Sequence, residues 1–85
     1  MLEKVKKSLG ITGNYQDEII QIWIDEIKQL MIDGGIAPSI VNDEKSAGVI
    51  AKGIDDVYFQ KTNLSTYFWQ RATQLAFKEE EEKNE

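Results

Sequence analysis

No cysteine and no histidine occur among the 85 residues, and there is one proline. The first two absences exclude disulfides, zinc staples, most redox and metal chemistry, and any nucleophile and base pair built from Cys or His. Long apolar runs are missing as well. The amino terminus MLEKVKKSLG lacks the continuous apolar stretch of a signal peptide, and nothing approaches the roughly 20 apolar residues of a membrane span. The expectation is therefore an intracellular chain with no membrane partner. No phosphate-binding loop is present either, since Gly34-Gly35 has neither a following Lys-Ser/Thr nor a preceding strand. Positive charge is in short supply, with 10 Lys and Arg against 15 Asp and Glu and a net charge of -5. Such a balance gives no clustered field for counterion-release binding to nucleic acid.

The sequence does contain one small, apolar-rich domain, 41% hydrophobic with two Trp. A chain of this length buries only about 60 to 65% of the surface its unfolded form exposes, so its own core leaves it marginally stable. Without disulfide or metal, oligomerisation is the remaining ordinary source of extra stability. The charge is unevenly placed: residues 78–85, KEEEEKNE, hold five acids and two lysines for a net of -3, leaving -2 for residues 1–77. We therefore divide the chain into a helical domain, 1–77, and an acidic, flexible tail, 78–85. Lys4, Lys6 and Lys7 form the one basic cluster, read as a solvated face on a short helix, with a phosphate or partner contact as the alternative. The neighbouring carboxylates Asp25 and Glu26, and Asp55 and Asp56, point about 100° apart on a helix and do not converge as acid/base or metal groups. They are read as solvated. No catalytic residue, metal ligand or cofactor site is assigned.

Periodicity predicts an all-α fold, a small bundle of about four helices. Leu2, Val5 and Leu9 recur at helical spacing ahead of Gly10, which fits a left-handed cap, so Met1 to Leu9 reads as a short amphipathic helix with Ile11 packing back onto it. Thr12, Gly13 and Asn14 make a turn, Asn14 is a candidate N-cap, and a second helix runs from near Tyr15 to Asp33. It stops at Gly34 and Gly35, before a loop from Ile36 to Asn42 that contains Pro38. Asn42 or Asp43 caps a third helix, in which Ala47, Ile50, Ala51, Ile54, Val57 and Tyr58 share a face. Gly48 and Gly53 weaken it by about 1 kcal/mol each, through simple tolerance or because another backbone approaches there. Ser65 caps the last helix, whose inward stripe is Phe68, Ala72, Leu75 and Ala76.

The second helix holds more isoleucine than one buried face needs. At about 100° per residue, Ile19, Leu30, Trp23, Ile27, Ile20, Met31 and Ile24 fall within one sector of roughly 140°. Ile22 and Ile32 fall outside it, among Glu18, Gln21, Asp25, Glu26, Gln29 and Asp33. On the last helix, Tyr67, Trp69 and Phe77 cannot all share the face of Phe68, Ala72 and Leu75. Single exposed apolar residues are ordinary on any surface. Five on so small a domain favour protein-protein burial, and Ile22, Ile32, Tyr67, Trp69 and Phe77 are the candidate interface.

Two short blocks carry a family resemblance. LEKVKKSLGIT, a spacer, and then DEII followed by IKQLMIDGGI resemble the first half of the small head-tail connector proteins of long-tailed bacteriophages, also called head-completion or adaptor proteins. AGVIAKGIDDVYF followed by LSTYFWQRATQLAF is similar to their later helices. The resemblance implies a non-enzymatic virion protein, assembled in the host cytoplasm, whose copies form a ring, typically dodecameric, below the portal protein at the head-tail interface. Such a ring extends the DNA channel without sequence-specific binding and offers a docking surface to a tail-side stopper or tail-completion protein. By the same resemblance Leu2, Val5, Leu9, Ile11 and the stripe from Ile20 to Met31 build the bundle. The connection containing Gly34, Gly35, Pro38, Asn42 and Asp43 corresponds to the loop that projects toward the channel or a neighbour. Family members use terminal extensions to engage the portal, but KEEEEKNE departs from their pattern. Two other classes fit a small helical chain: a DNA-binding regulator, and a helical protein-protein adaptor or chaperone. Against the first, the third helix mixes Lys45, Lys52 and Lys61 with Asp43, Glu44, Asp55 and Asp56.

Overall fold

The computed structural model describes residues 1–83, with the backbone alone from Lys78 onward. It is all-helical: 74% of the chain is helix, four of the helices are seven residues or longer, and no strand is found among the described residues. Helix α1 spans Leu2–Leu9, α2 Asp17–Asp33, α3 Pro38–Val41, α4 Ala47–Ile54 and α5 Thr66–Lys83. The short α4 is the centre of the bundle, with α1, α2 and α5 packed around it. Accordingly Ala47, Val49, Ile50, Ala51, Gly53 and Ile54 are all buried. The core predicted from periodicity is met at Val5, Ile20, Ile27, Met31, Ile50, Ile54 and Phe68, each 0% exposed. Leu2, Leu9, Trp23 and Leu75 lie at its rim, half-buried and packed against it.

Helix α1 ends as its glycine suggests. Gly10 adopts φ 72, and the Gly10 and Ile11 amides donate to the carbonyls of Lys7 at 3.2 Å and Lys6 at 2.9 Å. That pair of bonds satisfies two carbonyls the helix leaves free. The turn that follows overturns the expectation for Lys6, which is not solvated but 4% exposed. Its ammonium donates to the Gly13 carbonyl at 2.6 Å and to Asn14 Oδ1 at 3.4 Å, and pairs with Asp17 Oδ1 at 2.7 Å. Asn14 accepts from Lys6 and does not cap α2. The N-cap is Gln16, without a side-chain bond, and the helix begins at Asp17 rather than near Tyr15.

Past α2, the stretch expected as a loop holds a further helical turn. Ala37 is extended (ψ 137) ahead of Pro38, which opens α3 at the position where its missing N–H costs nothing. Ile36, Ile40 and Val41 are buried, so three apolar side chains pull this connection onto the core. Buried Ser46 Oγ lies 2.7 Å from the carbonyl oxygens of both Val41 and Asp43. Asp43 Oδ1 accepts from the Lys45 amide at 2.8 Å, capping a 3-10 turn, Glu44–Ser46, that leads into α4.

The third predicted helix is also divided. Beyond Ile54 the chain widens into a π-helical turn, Asp55–Phe59, closed by a Gln60 amide to Asp55 carbonyl bond of 2.8 Å. Asp56 is not solvated; it is 3% exposed. Its carboxylate accepts from Lys52 Nζ at 2.8 Å and from the Ser65 amide at 3.1 Å. Its carbonyl accepts from the Thr62 amide at 2.9 Å and from Thr62 Oγ1 at 3.0 Å. These bonds hold Lys61 at φ 54, the left-handed region that a lysine enters at a cost of about 1–2 kcal/mol. Ser65 then caps α5 as expected, its Oγ accepting from the Phe68 amide at 3.1 Å. Helix α5 buries Phe68 and Ala72 and runs without a break through Lys83. No helix end therefore marks the boundary expected at Lys78. Of the acidic tail, Asn84 and Glu85 lie outside the described residues, as do the side chains of residues 78–83.

The two helical glycines have different explanations. A Cβ on Gly48 would meet nothing within 4 Å, whereas one on Gly53 would fall 2.8 Å from Ile27 Cγ2 and 2.8 Å from Phe68 Cε2. What approaches Gly53 is side chain, not backbone. That contact is where the inner faces of α2 and α5 meet across α4.

Candidate interaction surfaces

The five candidate interface residues separate into two groups. Ile22, Tyr67 and Phe77 are 56%, 56% and 62% exposed. Ile32 and Trp69 are half-buried and packed against the chain's own core. Trp69 stands edge-on to Phe68, with centroids 5.1 Å apart and planes at 79°. A Cβ on Gly34 would lie 2.7 Å from Trp69 Cη2. Trp69 thus covers the end of α2, and this glycine leaves it room to do so. Ile32 and Trp69 therefore pack in part against their own chain, whereas Ile22, Tyr67 and Phe77 keep more than half of their surface free.

Of the candidate channel or neighbour residues, Gly34, Gly35, Pro38 and Asn42 are exposed, and Asp43 is half-buried as the cap described above. They rest on a segment anchored by Ile36, Ile40 and Val41 rather than on a free arm.

Exposed apolar residues that periodicity had placed inside, or had left unassigned, enlarge the first group. Ile19 and Leu30 are 46% and 42% exposed, Phe59 46% and Tyr15 88%. Ile19 and Leu30 fall at the edge of the apolar sector of α2, and in a bundle this thin the edge of a sector reaches solvent. Phe59 is carried there by the π-helical turn. It meets Trp23 edge-on at 5.6 Å, while Tyr58 stacks on the same indole at 4.8 Å and 20°. The Tyr58 hydroxyl donates to Glu26. The flank of α2 therefore carries exposed Ile19, Ile22 and Phe59 around half-buried Trp23, with Glu18, Asp25 and Glu26 beside them. The signal in the sequence was VYF at positions 57–59, which a strict α-helical wheel cannot place correctly past Ile54.

The charges around these surfaces make specific internal bonds. Burial disfavours the Asp56 carboxylate, but hydrogen bonds from Lys52 and Ser65 and the lysine's charge outweigh it, holding its pKa below the ordinary carboxylate value. Lys52 is shifted upward, chiefly by its bond to Asp56. Glu44 is held low, chiefly by the bond from the Met1 amine. Asp25 accepts from Gln21 at 3.0 Å. Among the described residues there is no group of three or more carboxylates placed to hold a metal ion, and no helix is long and apolar enough to cross a membrane. No protein-family model matches the chain, and no curated protein or solved structure matches it.

Proposed function

We propose that this chain is a structural, non-enzymatic subunit of a phage head-tail connector. Copies form a ring beneath the portal, continue the DNA channel without gripping the duplex, and present a surface to a tail-side stopper or completion protein. The resemblance to that family of blocks within residues 2–36 and 47–77 supports the reading. The observation that carries it is the separation of Ile22 on α2 from Tyr67 and Phe77 on α5, each more than half exposed. A ring of identical subunits needs two different faces per chain, one for each neighbour. Against the DNA-binding alternative, the exposed side of α2 carries Glu18, Asp25, Glu26 and Asp33, which repel phosphate.

The test is made in the phage that encodes the chain. Deleting the gene leaves DNA-filled heads unjoined to tails, and supplying the protein in trans restores particles. Infectious, tailed particles at normal titre without the chain would refute the connector role.

A further inference from the structure

We propose, resting on that reading, that adjacent copies join head to tail: the α2 flank of one copy seats on the outer face of α5 of the next. Ile27 on α2 and Phe68 on α5 converge at Gly53, so the two helices turn their inner faces toward the same point. Ile22 lies about 140° around α2 from Ile27, and Phe77 about 180° around α5 from Phe68, at about 100° per residue. Both outer faces therefore look away from the shared core.

Their compositions are complementary. Around Ile22 the helix neighbours are Ile19, Glu18, Asp25 and Glu26, all exposed. Around Tyr67 they are Gln70 and Arg71, with Gln74 and Phe77 further along the helix, again all exposed. Residues 66–77 hold no acid, and Arg71 is their only charge, whereas α2 sets five acids against Lys28. An exposed helix face bearing aromatics and one arginine but few charges has the composition of an interface core. Packing α2 on α2 sets acid against acid, whereas the mixed contact sets Arg71, the one charge of residues 66–77, against the acids of α2. It leaves a free α2 flank at one end and a free α5 face at the other, so it propagates from copy to copy, as a ring of identical subunits requires. Two faces of about 800 Å² each, the usual share per partner, take a little under a third of the chain's 5587 Å² surface.

The lack of cysteine allows a direct test by disulfide trapping. The double variant Ile22→Cys/Tyr67→Cys, oxidised at high protein concentration, is expected to give a ladder of trimers and larger species. An equimolar mixture of the two single variants is expected to give mixed dimers well above the twofold excess over either homodimer that random pairing produces. Ser8→Cys/Tyr67→Cys, which moves one thiol off the α2 flank, is the control that gives no ladder. Adding Arg71→Glu to the double variant is expected to lower ladder yield several-fold, and molar salt to lower it likewise. Circular dichroism verifies that each variant keeps the parent's helicity.

Predominant Ile22→Cys or Tyr67→Cys homodimers, a ladder no stronger than the control, or one indifferent to Arg71→Glu would overturn the pairing. Those results leave the connector role standing, because it is tested by filled, tailless heads. A chain that ladders as expected, but whose deletion leaves normal particles, keeps this interface and loses that role.

Discussion

Gly48 and Gly53 occupy the same short helix, and the same substitution is expected to act on them with opposite sign. At Gly48 a methyl group enters open space, with no atom within 4 Å. The gain is then that of replacing glycine by alanine in a helix, about 0.5–1 kcal/mol. At Gly53 the methyl meets Ile27 Cγ2 and Phe68 Cε2, both at 2.8 Å, and Leu64 Cδ2 at 3.3 Å. Ile27 and Phe68 are 0% exposed, so neither can swing into solvent to make room. Overpacking of this kind costs about 1–3 kcal/mol, which outweighs the helical gain and leaves a net loss of up to about 2 kcal/mol. Urea denaturation followed by circular dichroism measures both variants, with an unchanged slope showing that the change lies in stability alone. Since 1 kcal/mol moves the melting temperature of so small a domain by about 4–8 °C, Gly48→Ala should melt above the parent and Gly53→Ala at or below it. A Gly53→Ala protein as stable as Gly48→Ala would refute the packing described at the centre of the bundle.

The remaining predictions use the same assay. Asp56→Ala leaves the Ser65 amide without its acceptor and Lys52 with only the longer pairing to Asp55 at 3.7 Å, and should cost about 1–3 kcal/mol. Because the native pKa of Asp56 is depressed, its contribution is complete above the unfolded value of about 3.9 and is lost as pH falls through the lower native value. The parent should therefore lose stability relative to Asp56→Asn below about pH 4, and parallel acid titrations of the two would refute the pairing. Lys6→Met strands Asp17 and two turn acceptors beside an apolar side chain and should cost about 2–4 kcal/mol. A loss under about 0.5 kcal/mol would return Lys6 to the solvated face. Trp69→Ala opens a gap over Gly34 and should cost about 2–3 kcal/mol, less than a fully buried indole. Ile22→Asp and Tyr67→Ser should stay within about 0.5 kcal/mol of the parent as monomers. Equal losses at Trp69 and Tyr67 would undo the division between packing and interface.

Helix positions and the apolar core were legible because they depend on neighbours a few residues apart. The cap at Gly10, the stop at Gly34 and the cap at Ser65 are local chemistry, and so is the stripe of Ile20, Ile24, Ile27 and Met31. What was not legible depends on distant partners. Lys6 and Asp56 look like any surface charges until the turn folds over them. Pro38 signalled an interruption without showing that Ile36, Ile40 and Val41 would draw the interruption inward as α3. Likewise, an assumed period of 3.6 breaks down where α4 gives way to a π-helical turn, and this is why Phe59 went unassigned. For the candidate interface the wheel identified Ile22, Tyr67 and Phe77 as outside, but it could not foresee that Trp69 and Ile32 would be covered in part from within.

Lys6 and Asp56 also show how the domain manages without cysteine or histidine. Each is a buried charge near the end of one helix that reaches the backbone of the turn leading to the next: Lys6 holds a carbonyl between α1 and α2, and Asp56 holds an amide between α4 and α5. The signs follow from the groups they serve, an ammonium for a carbonyl and a carboxylate for an amide at a helix start, where negative charge also meets the favourable end of the dipole. Two such staples fix the helix-to-helix turns from inside the bundle. Among the described residues, the outer sides of α2 and α5 consequently carry little of the fold's internal bonding beyond local pairs such as Gln21–Asp25 and the Tyr58 hydroxyl bond to Glu26. A surface with so little structural duty can hold isoleucine, tyrosine and phenylalanine for another chain at small cost to its own stability.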